Sequence, residues 1–333
     1  MKKLSCQALL PALFCLVCTS AVPILAPAAR AEATPSAAPA APSTPVPSTA
    51  TEPTPASPAA GTPSTSGGED AKQQATVAYN LGLAAVKKSD WATAAANFEK
   101  ATTLDATDAS ALMFLGFARL KQENYDGALT ALQAAERLIP ATDGKSRATL
   151  YNNLGLAPWN KNQKTEAIES YQRALQADKD ASDARYNLAF AFLSQKRYQD
   201  AIPHLEALAK TSGDAALLDA LGEAYENVKD FGKALGAYGK AIALRPNEAA
   251  YQLHMALALV SSNRKTDAIP YLRKVITLDP QSTDPQSAEA FLQLGAIAIE
   301  KTRWNEAQDM LRRYVALRPN DPAGWYNLGV AYD

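Results

Sequence analysis

From Ala75 onward, large apolar residues recur at steps of three and four, the spacing that lines one side of a helix. The pattern repeats with a period of 34 residues. Position 7 of each unit is large and apolar: Leu81, Leu115, Leu154, Leu188, Leu221, Met255, Leu294 and Leu328. Position 8 is small: Gly82, Gly116, Gly155, Ala189, Gly222, Ala256, Gly295 and Gly329. Position 20 is Ala throughout (Ala94, Ala128, Ala167, Ala201, Ala234, Ala268 and Ala307), and position 24 is large again (Phe98, Leu132, Tyr171, Leu205, Tyr238, Leu272 and Leu311). Each unit therefore predicts two amphipathic helices joined by a short polar turn such as KKSD or SQKR. A Pro-containing segment such as LRPN or LDPQ stops the second helix before the next unit begins. The small residues mark the crossing of the two helices, where a larger side chain would push the axes apart.

Seven full units start at Ala75, Ala109, Ala148, Ser182, Ala215, Ala249 and Ala288, and a partial one starts at Pro322. Five-residue insertions, Asp143–Arg147 and Thr283–Ser287, precede the third and seventh units, and the fourth is one residue short. Pro158 stands at position 11 of the third unit, inside its first helix, where loss of a backbone donor predicts a kink or an early end near Leu154–Trp159.

This pattern, fullest in Trp325, Leu328, Gly329 and Tyr332 of the last unit, resembles the tetratricopeptide repeat family over Ala75–Asp333. The resemblance implies an all-α fold: a right-handed superhelical solenoid of helix-turn-helix repeats with one continuous core. It also implies a concave groove, lined by positions 2, 5, 9, 12 and 13 of the first helices, that binds a peptide or helix of a partner. Carried onto this chain, those positions give Tyr79, Leu83 and Val86; Met113, Phe117 and Leu120; Asn152, Leu156 and Trp159; Asp183, Tyr186, Phe190 and Leu193; Leu253, Leu257 and Val260; and Leu292 and Ile299. An exposed apolar groove of this extent would mark a partner site, with the aromatic side chains as anchors, although stripes at helical spacing also pack as core. The fifth unit breaks the apolar run with Asp219, Glu223 and Glu226, an acidic stretch expected to select a basic group beside an apolar segment. No unit has Lys at position 5 or Asn at position 9, so the family's clamp for a C-terminal carboxylate is not expected.

Composition changes the picture mainly before the repeats. Lys2 and Lys3, an apolar run interrupted by Pro11 and Pro23, and the small-x-small site Ala29-Arg30-Ala31 read as a secretory signal peptide over residues 1–31, cut after Ala31 or Ala33. The alternative is an uncleaved anchor. Residues 32–70 hold nine Pro among Ala, Ser and Thr, with Val46 the one large aliphatic side chain; this is a disordered, Pro/Ala-rich linker by composition. All three Cys lie in the leader, so the processed chain carries no disulfide and no thiol chemistry. Removing Lys2, Lys3 and Arg30 moves the formal net charge from −1 to −4, away from nucleic-acid binding. The two His, His204 and His254, stand in different units without a second His at metal spacing. No phosphate loop, nucleophile elbow or metalloprotease motif is present, so neither an enzyme nor a cofactor is expected.

The expected function is a non-catalytic protein–protein interaction scaffold of the bacterial envelope, periplasmic or extracellular, touching a membrane only if its leader is retained. The rival reading is the recognition arm of a longer chain with a catalytic or outer-membrane domain beyond Asp333. Self-association through the C-terminal face is a third expectation, because PAGWYNLGVAYD is apolar on more than one side.

Overall fold

The computed structural model describes residues 66–282 and 284–333; the leader and most of the linker lie outside them. Fifteen α-helices fill the described residues: α1 (Ser66–Lys87), α2 (Trp91–Leu104), α3 (Ala109–Lys121), α4 (Tyr125–Leu138), α5 (Gly144–Asn160), α6 (Lys164–Ala177), α7 (Ser182–Ser194), α8 (Tyr198–Thr211), α9 (Ala215–Asn227), α10 (Phe231–Leu244), α11 (Ala249–Ser261), α12 (Lys265–Leu278), α13 (Pro285–Glu300), α14 (Trp304–Leu317) and α15 (Pro322–Tyr332). None of these is long and apolar enough to cross a membrane. Starts are set locally. Asp90, Asp108, Asn124, Asp143 and Asp230 each accept a hydrogen bond from the backbone N–H three residues on, satisfying a donor the first turn leaves over.

Every helix packs on the next, first helix on second within a unit and second on the following first. The small and large positions bring them together. Each position 20 alanine is fully buried, and so are the position 24 side chains from Phe98 to Leu311. At Gly155 a Cβ would lie 2.4 Å from the Tyr171 ring, and at Gly222 it would lie 2.5 Å from Tyr238, so even Ala would force these pairs apart. The core is thus one chain of contacts passed from unit to unit rather than a central globule.

Two features depart from the sequence expectation and one refines it. Helix α1 begins at Ser66, inside the segment read as linker through residue 70. Within the insertions, Gly144–Arg147 and Pro285–Ser287 extend first helices, making α5 17 residues and α13 16, against 13 for α3, α7, α9 and α11. Pro158 does not end α5 near Leu154–Trp159. It falls in the last turn, where one donor is lost, and the chain closes behind it as Gln163 N–H donates to Pro158 O at 2.8 Å.

Candidate partner-binding face

First helices also meet one another across units. α3 touches α5, α5 touches α7, α9 touches α11, α11 touches α13 and α13 touches α15, and no two second helices come as close among the described residues. The odd-numbered helices therefore form a continuous first-helix face. The steps from α1 to α3 and from α7 to α9 are looser than the other five, and only Ser212–Asp214 link α8 to α9.

On this face Tyr79, Leu83, Met113, Leu156, Trp159, Tyr186, Phe190, Leu193 and Leu257 are half-buried: each rests on the core and keeps part of its surface open. Tyr186 and Phe190 stack with ring centroids 4.3 Å apart, one turn from each other on α7. Burial, and then the Asp214 carboxylate, push the Tyr186 phenol up, so it stays neutral. Trp159 carries the Lys164 ammonium 6.0 Å from its ring centre. Tyr79 leans edge-on against Phe98 and Phe114 at 5.7 and 5.9 Å.

Three residues expected to line the groove, one of them the anchor Phe117, are core instead. Phe117 is 3% exposed, edge-on to Trp91 at 5.7 Å, with the Lys121 ammonium 5.4 Å above it; burial there lowers the Lys121 pKa. Leu120 and Leu253 are 9% and 7% exposed, covered by the neighbouring unit. Val86, Asn152 and Leu292 are buried too. The physical reason is shared. Burial is decided by the neighbouring unit: Trp91 of the unit before covers Phe117, and Leu120 packs against the unit after.

The polar members of the face pair across units. Asn187 Nδ2 donates to Asn152 Oδ1 at 2.8 Å, from position 6 of one unit to position 5 of the unit before. The same two positions, two units later, hold His254 Nδ1 at 2.8 and 3.0 Å from the carboxylate oxygens of Asp219. Glu226 accepts from the Tyr238 hydroxyl at 3.0 Å and the Ser261 hydroxyl at 3.4 Å. The acidic stretch expected to face a partner is therefore corrected at Asp219 and Glu226, which already hold internal donors. Glu223 is half-buried on the same helix. Sequence reasoning missed Asn187 and His254 because position 6 is not a groove position; complementary polar residues at 5 and 6 of successive units were the signal. Among the described residues, no group of three or more His, Cys, Asp or Glu lies close enough to hold a metal ion.

Models of the tetratricopeptide repeat match residues 107–180, 152–216, 220–283 and 289–321. The chain is similar to the peroxisomal targeting signal receptor of Candida glabrata, 30% identical over 102 residues, or 31% of this chain and 16% of the receptor. It is also similar to the small glutamine-rich tetratricopeptide repeat-containing protein 2 of Mycosarcoma maydis, 31% identical over 119 residues, covering 36% and 31% of the two chains. It thus spans about a sixth to a third of the length of these relatives. The crystal structure of the C-terminal part of a TPR repeat-containing protein from Cytophaga hutchinsonii has the same fold, with a TM-score of 0.62, 20% identity, and coverage of 75% of this chain and 99% of that one. So does YrrB, described as a TPR protein with an unusual peptide-binding site, at a TM-score of 0.51 and 20% identity over 56% of this chain and 93% of its own.

Proposed function

The chain belongs to the tetratricopeptide repeat family, and from that premise we propose that it is a non-catalytic protein–protein interaction scaffold of a bacterial cell envelope, holding an apolar segment of a partner on its first-helix face. One observation carries the reading: the stacked, half-open Tyr186–Phe190 pair, continued by Leu193 on its own helix and by Leu156 and Trp159 on α5. A soluble domain gains nothing from leaving such rings half in water, whereas a partner that covers them recovers their burial energy. The similarity to YrrB, with its peptide-binding site, and to a receptor of a targeting signal supports the same direction. The envelope assignment is supported by the basic, apolar, small-residue order of residues 1–31 and by the absence of Cys after Cys18.

Two experiments test this. In affinity capture with the full chain, Tyr186→Ala/Phe190→Ala should release the partners that the parent chain retains, and capture of the same set by both overturns the groove. Glu223→Lys should also lower affinity for a basic-apolar partner and flatten its salt dependence. In bacterial fractionation, the chain should appear outside the cytosol starting at Glu32 or Thr34; an intact N-terminus in the cytosol overturns export. A second reading, the recognition arm of a longer protein, is favoured by the matched stretch covering only 16% and 31% of the two relatives. The reading frame beyond Asp333 separates the two.

A further inference from the structure

Units three and seven share more than the insertions before them. Each has an aromatic ring at position 4 (Tyr151, Phe291) and an arginine at position 26 (Arg173, Arg313). The two guanidiniums lie 4.1 and 5.7 Å from their ring centres. Both rings sit away from the first-helix face, under the gap between successive second helices: α4 and α6 for Tyr151, α12 and α14 for Phe291.

In unit three this gap is filled from within. Glu136 of α4 accepts from Arg173 Nη2 at 2.6 Å and from the Tyr151 hydroxyl at 3.0 Å, and Arg147 donates to the same hydroxyl. A carboxylate thus lies over an aromatic floor between helices, held by a guanidinium. In unit seven the residue at the Glu136 position is Ile276, and the ring has no hydroxyl. The carboxylate is gone while its arginine remains. What is left is a cavity of about 300 Å³, walled by Ile276, Leu294 and Met310, with Arg313 covering the fully buried Phe291 and Arg273 on the opposite rim. Glu306 does not replace the lost carboxylate, because Arg273 and Arg303 already hold it at 3.1 and 3.2 Å. Arg313 reaches Asp309, one turn back on its own helix, at 3.5 Å, and both of those side chains are more than half exposed.

We infer that this cavity is a binding site for a small apolar carboxylic acid, separate from the partner-binding face. The carboxylate takes the place at Arg313 that Glu136 takes at Arg173, displacing the exposed Asp309 contact while Arg273 stays with Glu306, and the apolar body enters between Ile276 and Met310. Arg273, Arg303 and Arg313 against Glu306 and Asp309 leave one positive charge in surplus among these residues, matching one anionic group, and charge-assisted, bidentate pairing is what guanidinium offers. A volume of about 300 Å³ stands at the small end of ligand pockets and admits one ring or a short aliphatic chain.

The test uses the full chain with methyl-labelled methionine, titrated with 3-phenylpropanoate and, separately, its uncharged amide. The acid should shift the Met310 methyl saturably and leave Met113 and Met255 unmoved, and the amide should bind at least about tenfold more weakly, one charge-assisted hydrogen bond's worth. Ile276→Glu, which rebuilds the self-filled arrangement of unit three at a half-exposed position, should abolish the shift at unchanged helicity. Arg313→Gln should weaken acid and spare amide binding. No saturable Met310 shift, equal binding of acid and amide, or a folded Ile276→Glu chain that binds like the parent would each overturn the inference.

Discussion

The first-helix face changes character between α7 and α9. Up to α7 its rungs are rings and aliphatic chains, with one neutral polar pair, Asn152–Asn187. On α9 the same register carries acids, with Asp219 gripping His254 and Glu226 taking the hydroxyls of Tyr238 and Ser261, before Leu253, Leu257 and Val260 on α11 return it to aliphatic chains. The two histidines mirror this division. His204, on α8, is tilted against Phe192 at 5.9 Å with its Nδ1 buried and without a hydrogen-bond partner. His254 has a carboxylate. One repeat scaffold therefore holds successive units together by an amide pair in one half and an acid–imidazole pair in the other. The two halves should therefore respond differently to mutation.

The largest expected effect tests what the halves have in common. Tyr171→Ala and Tyr238→Ala, both at position 24 beneath a glycine, should each lower unfolding free energy by about 3–5 kcal/mol in urea denaturation. The conservative change should then discriminate. Tyr238→Phe removes the donor to Glu226 and should cost about 1 kcal/mol; no loss would mean that the acidic half is not tied to the core there. Next come the rungs. Asn152→Ala and Asp219→Ala each strand a partner on the next unit and should cost about 1–3 kcal/mol, while Asp219→Asn, a neutral pair like that of the other half, should cost less than Asp219→Ala. Equal costs would dissolve the distinction between the rungs.

A smaller effect is expected at the turns, where the halves are alike. Position 15 has a left-handed backbone in all seven full units (φ 54 to 65°), and the residue there is never glycine: Ser89, Glu123, Asn162, Lys196, Lys229, Asn263 and Thr302. Lys196→Gly and Lys229→Gly, one on each side of the α7–α9 step, should each raise stability by about 1 kcal/mol. A gain on one side alone would show that the turns, too, differ. The smallest effect is a pH slope. Burial, and then Arg185, push the His204 imidazole down against the opposing pull of Asp200. The unfolded chain then binds the proton more readily, so stability rises with pH between the lowered value and the ordinary histidine value of about 6.5 and is lost as pH falls through that window. His204→Phe should remove this component from thermal melts between about pH 5 and 7; an unchanged slope would assign the pH response to other groups.

How much was legible beforehand differs by feature. The alternation of small and large residues at positions 8, 20 and 24 needed no coordinates, because a helix crossing with room for Ala but not Leu leaves its mark at a constant spacing. The insertions were legible as interruptions but not as helix, since nothing in DGKSR distinguishes a loop from an added turn until Asp143 caps it. The left-handed turns were hidden because no glycine flags them. Among the site residues, Phe117 and Phe190 occupy the same position in their units and read identically. One is sealed by Trp91 and Lys121 while the other lies half-open against Tyr186. Tyr151 and Phe291 likewise read as two core aromatics, and only the side chain standing opposite, Glu136 or Ile276, fills one cleft and leaves the other open.

By itself, then, the sequence determined the repeat, the pairing of helices and the inward-facing residues. These follow from contacts within one unit, where the period places each side chain relative to its own helix pair. Tertiary structure alone decided which groove residues remain open, which charges are already paired and where a cavity is left. Those depend on the distance and offset between units, and these are set jointly by side chains about 35 residues apart rather than by any local stretch.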